Sequence, residues 1–294
     1  MKGEKLINKS ITEKYIIKIL NIILNFFFPN ICGICEEINE KSICSKCKKE
    51  LEKYLITNKT SNFSSLENKL ESKIYFDEQI YFYKYDGIIR EKFIKYKFGN
   101  KPYLYKMFAE SIFNKELVEF CNNYDYLIPV PIDKSRMSER GYNQSVLIAK
   151  EIIKYISEYQ VNKKINIIKN YKIKELKKKK YAIYNKKYKI ISNKIDFANY
   201  LSHTSKFKLK YIQLENKILF KHKNINPQST MNTREDRIKN IQNAFKLKNI
   251  EKIKNKKIII FDDIFTTGST ANECAKLLKN NGALKVGIIT IAKD

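Results

Sequence analysis

The chain has 294 residues, room for one sizeable core and a small appendage. Lys and Arg total 58 against 31 Asp and Glu, a net charge of +27, within a composition biased toward Lys, Ile, Asn and Tyr. A field of that size draws nucleic acid, anionic lipid surfaces or phosphorylated substrates, but charge alone gives weakly specific, salt-sensitive attachment; it points to a class of partner and is excluded as a mechanism.

The first apolar segment runs from Tyr15 to Phe28 and is interrupted by Lys18, Asn21 and Asn25. It is too short and too polar to span a bilayer, and no small-residue cleavage site follows it. It reads as an amphipathic helix packed on the domain, with a peripheral contact at the inner membrane as the alternative. Without a secretory signal the expected location is the cytoplasm, where thiols stay reduced. Next, Cys32-Gly33-Ile34-Cys35 and Cys44-Ser45-Lys46-Cys47 form two C-x2-C knuckles. Two knuckles supply four thiolates to a tetrahedral Zn2+, with no open position and hence a structural role. The alternative is a pair of redox dithiols or simply reduced cysteines. Residues 1–57 are thus expected to form an apolar helix and a zinc-binding module. A polar linker follows from Asn58 to Lys73.

Ile74 to Tyr85 is rich in β-formers and predicts strands. Asp86-Gly87 breaks the run, and a helix is predicted to end near Phe98-Gly99-Asn100. A longer helix is predicted from Tyr103 to Phe120. Tyr126 to Pro131 reads as a short buried strand that its prolines terminate. The stretch Ile132 to Gly141 predicts a basic loop carrying Lys134, Arg136 and Arg140, and a helix is expected from about Tyr142 to Tyr159. Cys121 and Cys274 lie in apolar contexts and read as buried packing residues; His203 and His222 read as ordinary loop or surface residues.

From about Val161 to Lys223 the composition shifts to Lys, Tyr, Asn and Ile, with an unbroken charge run at Lys177 to Lys180. This predicts an insertion within the domain spanning 74–294, partly helical or mobile, and either biased filler or a polyanion contact in which tyrosines alternate with lysines.

The most informative stretch comes last. Ile258-Ile259-Ile260-Phe261 reads as a buried strand, Asp262 and Asp263 stand where it ends, and Thr266-Thr267-Gly268-Ser269-Thr270 forms a tight loop opening a helix. Free N–H groups of such a loop can ring a phosphate, and the carboxylates can accept from sugar hydroxyls. Thr270 and Glu273 have capping-box spacing, Asn281-Gly282 is a stop signal, and Val286 to Ala292 predicts the next strand. The unit strand–loop–helix–strand favours a parallel sheet with ligands at its carboxyl edge.

FDDIFTTGST resembles the phosphoribosyl-pyrophosphate-binding motif of type I phosphoribosyltransferases. The resemblance implies that Asp262 and Asp263 hold the ribose hydroxyls, as the catalytic acid pair, and that Thr266, Thr267, Gly268, Ser269 and Thr270 hold the 5-phosphate. The fold it implies is α/β, a type I phosphoribosyltransferase-like parallel sheet flanked by helices, with the small N-terminal zinc module beside it. Phe28-Pro29-Asn30-Ile31-Cys32, Tyr85-Asp86-Gly87 with Lys95-Tyr96-Lys97-Phe98-Gly99, Pro129-Val130-Pro131 with Arg136 and Arg140-Gly141-Tyr142-Asn143-Gln144, and Gln228, Arg237, Asn240 and Ala244-Phe245 follow in order. That order resembles the ComF family of competence proteins.

The resemblance implies a phosphoribosyltransferase, a glycosyltransferase-type enzyme, acting on a Mg2+ complex of phosphoribosyl pyrophosphate or a related sugar phosphate. Arg136 and Arg140 would stabilise the leaving pyrophosphate. It also implies a role in natural transformation, the uptake of DNA. The rival reading is a non-catalytic single-stranded-DNA-binding protein that works with the uptake machinery. No general base stands out, and the base-binding hood of nucleobase-salvage enzymes is not recognisable.

Overall fold

The computed structural model describes residues 27, 29–60, 73–179, 212–222, 241 and 243–294. Of the Tyr15–Phe28 segment, only Phe27 falls among them. The cysteine segment comes first. An antiparallel bridge joins Ile31 to Ile38, and helix α1 (Ser45–Glu52) starts on Cys44, whose sulfur accepts from the Cys47 N–H. Strand β1 (Leu55–Thr60) pairs antiparallel with β2 (Glu78–Lys84). β1 therefore crosses from the expected module, past residue 57, into the main sheet.

Asp86 accepts from the Gly87 N–H at 2.8 Å and opens α2 (Gly87–Phe98). The single helix predicted from Tyr103 to Phe120 is two, α3 (Leu104–Ile112) and α4 (Lys115–Asn122). The cause is Asn114, whose side-chain oxygen accepts from the Leu117 N–H at 2.8 Å and caps a new start. Strand β3 (Tyr126–Pro129) follows. The expected loop at 132–141 winds instead into a short helix, α5 (Lys134–Arg140), because Asp133 accepts from the Arg136 N–H at 2.9 Å and Gly141 ends it at φ 76°.

Helix α6 (Gln144–Lys179) runs well past the predicted end at Tyr159. Asn143 starts it, accepting from the Val146 N–H while its amide donates to the Val130 carbonyl at the exit of β3. The 161–223 stretch, expected to be partly helical or mobile, begins inside this helix. It holds the end of α6 and two short strands, β4 (Gln213–Leu214) and β5 (Leu219–Lys221). The chain closes with β6 (Phe245–Leu247), β7 (Lys257–Phe265), α7 (Ser269–Asn280) and β8 (Lys285–Lys293).

Six strands form one sheet in the order β1-β2-β8-β7-β3-β4, parallel throughout except at β1, and β5 and β6 make a separate antiparallel ribbon. Strands β7 and β8 are central, and their near-continuous apolar runs follow from burial on both faces. Pleating sends Ile259 and Phe261 into one layer, with Phe93, Tyr96, Met107, Phe108, Ile148 and Ile152. Ile258 and Ile260 enter the other, with Ala271, Cys274, Ala275 and Leu278 of α7. Cys121 and Cys274 are fully buried, as their contexts predict. Cys32, Ile43, Cys47 and Leu51 belong to the first layer, so the cysteine segment shares the main core. Among the described residues no helix is long and apolar enough to cross a membrane.

Candidate functional site

Strand β7 does not stop at the carboxylates; it continues through both to Phe265, paired with β8 as far as Lys293. Extended backbone at this point lets each acid be fixed by the next peptide group. The Asp263 N–H donates to Asp262 Oδ1 at 2.9 Å, and the Ile264 N–H donates to Asp263 Oδ1 at 2.8 Å. Asp263 is buried and Asp262 keeps partial exposure. Enclosure by surrounding atoms and the neighbouring Asp263 charge together push the Asp262 carboxyl up to about 7. The Asp263 N–H, Lys97 and the Ser145 hydroxyl pull the other way.

The loop after β7 turns on Gly268, at φ 83°. A Cβ there would lie 2.5 Å from the Phe265 ring, which is itself buried edge-on to Phe76 at 6.3 Å. Only glycine fits both the dihedral and the space. Helix α7 starts at once, with Ser269 buried, and the Thr267 and Ser269 hydroxyls lie 2.8 Å apart. Thr266 is exposed and Thr270 half-buried, so the predicted loop residues are gathered around one helix start. The predicted capping box is not formed: Glu273 accepts from the Asn243 N–H at 2.9 Å, and Gly268 occupies the cap position. Asn272 anchors the first turn from outside, donating to the Lys73 carbonyl and accepting from the Tyr75 N–H.

One cation touches the acid pair and a second acts on Asp263 electrostatically, each from another element. Lys97, on α2, places Nζ 2.7 Å from Asp263 Oδ2. The approach is an ion contact without hydrogen-bond alignment: among the described residues that buried oxygen receives no directed donor. Arg140, at the end of α5, lies over the Phe98 ring at 5.4 Å and has a buried Nη1 with no hydrogen-bond partner. Burial lowers the Arg140 pKa and the Asp263 charge resists. Arg136 is not on the acids; its Nε stands 3.8 Å from Asp133. Asp133 also meets Lys221 of β5 at 3.2 Å, with both side chains almost wholly enclosed. Burial pulls the Lys221 pKa down against Asp133. At Asp133 burial is outweighed by the Arg136 N–H and Lys221, which keep its carboxyl below the usual range, so the pair is ionic. Sequence reasoning missed Lys97 and Asp133 as site elements. The cap spacing from Asp133 to Arg136 was a readable signal; nothing local marked Lys97.

The four predicted cysteines do converge: the sulfurs of Cys32, Cys35, Cys44 and Cys47 all lie within 4.8 Å of one another. The Cys44 N–H points at Cys32 Sγ and the Cys47 N–H at Cys44 Sγ, both at 3.4 Å. Burial opposes ionising Cys32, yet the N–H groups of Cys44, Cys35 and Ile34 outweigh it and bring the thiol down to about 7. Four close sulfurs with backbone donors suit a single Zn2+ held by thiolates. The knuckle is docked by Glu110, which accepts from the Ser42 N–H at 2.8 Å, and by the buried Lys92, which donates to the Ile34 carbonyl at 2.7 Å. His222 is exposed, a surface position as expected, with Nδ1 3.1 Å from the Ala244 carbonyl. Pro227 to Thr230, Arg234, Arg237, Asn240 and His203 lie outside the described residues.

A search of curated proteins finds no match to the chain. The family model for the phosphoribosyl transferase domain matches residues 144–294, which include the acid pair, the Gly268 loop and more than half of the chain. With the parallel sheet and the strand–loop–helix site already in place, the chain belongs to the phosphoribosyl transferase domain family.

Proposed function

We propose that the protein binds phosphoribosyl pyrophosphate, or a related sugar phosphate, as its Mg2+ complex, and that it is a ComF-like phosphoribosyltransferase acting in DNA uptake. One observation carries the sugar-phosphate reading. The acid pair and the Gly268 loop sit on one continuous strand–loop–helix unit inside the matched domain. A ribose spans that unit, with its hydroxyls donating to Asp262 and Asp263 and its 5-phosphate among the amides and hydroxyls of Thr266 to Thr270. Arg140, which acts on Asp263 electrostatically, would balance charge on a departing pyrophosphate. Arg136 supports the same helix through Asp133. Mg2+ would enter with the substrate and offset its phosphate charge, while Asp262 and Asp263 of this chain hold the ribose hydroxyls. Zn2+ on the four cysteines has a structural role.

The competence role rests on the ordered sequence blocks and the net charge of +27, which favours a polyanionic partner. Calorimetric titration of the full chain with Mg2+-phosphoribosyl pyrophosphate, beside a single-stranded DNA titration, separates the readings. Asp262→Asn with Asp263→Asn removes two charged acceptors and should weaken sugar-phosphate binding by about 100-fold or more. DNA affinity should stay level or rise in the same variant. No heat with the sugar phosphate from the unaltered protein, together with tight DNA binding, would leave the non-catalytic DNA-binding reading in its place.

A further inference from the structure

The acid pair stands at the end of β7, inside the matched domain, but its nearest cation does not. Lys97 lies on the last turn of α2, far upstream of residue 144. Its side chain is 21% exposed against 8% for Asp263, and its ammonium sits 2.7 Å from Asp263 Oδ2. It also reaches Asp262 electrostatically and lies over the Phe93 ring at 5.6 Å. The contact to Oδ2 is close but poorly directed, and among the described residues that oxygen has no other hydrogen-bond donor. An ammonium fixed purely for structure would be expected to align a proton on a buried carboxylate. Here the cation neutralises Asp263 without saturating it.

The neighbouring residue strengthens the assignment. Phe98 is 69% exposed and carries the Arg140 guanidinium on its ring. The end of α2 thus brings one cation to the acids and shelves a second that acts on Asp263 electrostatically. The acid pair and the two cations offset much of each other's charge, whereas a pyrophosphorylated sugar adds several negative charges. Once ribose hydroxyls donate to the carboxylates, the acids need less help from Lys97. In such a donor the pyrophosphate is borne on the carbon next to the 2-hydroxyl. A cation touching the acid that holds the 2-hydroxyl is therefore two polar contacts and one sugar bond from the pyrophosphate-bearing carbon, a gap that a swing of a lysine side chain can close.

We propose that Lys97 is a pyrophosphate-binding residue of this site: it balances Asp263 in the ligand-free protein and turns to the donor's pyrophosphate when the ribose hydroxyls engage the acid pair. The inference rests on the sugar-phosphate reading and deepens it. It places part of the site on a helix outside the matched segment, so that residues 144–294 alone would bind the sugar moiety better than its leaving group.

Calorimetry with two ligands tests it on the full chain: Mg2+-phosphoribosyl pyrophosphate, and ribose 5-phosphate, which lacks the pyrophosphate. Lys97→Met should weaken the first by about 10- to 100-fold, the range of a lost charge-assisted hydrogen bond, and leave the second nearly unchanged. Lys97→Arg should restore most of the difference. If Lys97→Met does not fold, Lys97→Gln, which keeps a polar tip, is read in the same way. Equal weakening of both ligands would make Lys97 a structural prop and overturn the assignment alone. Failure of the unaltered protein to bind either ligand would overturn the sugar-phosphate reading and the lysine's role with it.

Discussion

The two chemically dense regions are built in opposite ways. At the acid pair and the Gly268 loop, the determining contacts are local: Asp262 and Asp263 are each held by the next N–H, and Thr267 meets Ser269. At the cysteine cluster the four sulfurs are local too, but the segment is held in place by distant residues. Glu110 takes the Ser42 N–H, Lys92 takes the Ile34 carbonyl, and Gly33 sits so close to Met107 that a Cβ would fall 2.6 Å from that side chain. A short motif can specify a loop whose geometry follows from its own backbone. It cannot specify the surface on which a small metal knuckle rests.

That contrast can be broken most forcefully from the cysteine side. Cys47→Ser removes a buried thiolate and should take zinc content from one ion per chain to near zero. It should destabilise the protein on the order of 5 kcal/mol, because metal binding is folding free energy in segments this small. Elemental analysis and thermal unfolding check both, and an unchanged melting temperature would mean that α2 and α3 hold the segment without metal.

The acid pair should respond in the other direction. Asp262 has its pKa raised to about 7 by burial and by Asp263, above the value of an unfolded chain. The folded protein therefore holds a proton that the unfolded chain releases, and stability from this group is full below about pH 4 and lost as pH rises toward 7. Asp262→Asn should raise stability at pH 8 by up to about 4 kcal/mol, at roughly 1.4 kcal/mol per pKa unit, and give little gain at pH 4. Melting curves at the two pH values measure the difference. The same substitution removes a proposed ligand contact, so added stability and lost binding should appear together.

The smallest expected effect is geometric. Gly268→Ala forces a Cβ into a left-handed turn and against Phe265, costing about 2 kcal/mol. Zinc content should be untouched, which would show that the loop and the cluster are independent, while sugar-phosphate affinity falls.

What could be read in advance follows the same division. The strand–loop–helix–strand unit and the convergence of four cysteines were legible, because apolar runs and fixed spacings encode them. The break between α3 and α4 was not, since Asn114 lies within an otherwise helical apolar pattern and acts only through its cap on Leu117. Strands β4 and β5 were hidden for a different reason: two or three residues show no period, and their Lys-rich surroundings mask buried Ile212 and Ile218. Thr270 and Glu273 looked like a cap, but tertiary structure gave Glu273 to Asn243. Lys97 was quoted only as part of a sequence block; its contact with Asp263 exists because β7 and α2 meet in the fold.

The enclosed ion pair between Asp133 and Lys221 has a kinetic consequence. It fastens the arginine-bearing α5 to the β5–β6 ribbon before any ligand arrives, so the restriction of that short helix belongs to folding and not to association. A ligand meeting a helix already immobilised surrenders less disorder on capture. Loosening the fastening should therefore show up as faster escape of the ligand more than as slower arrival.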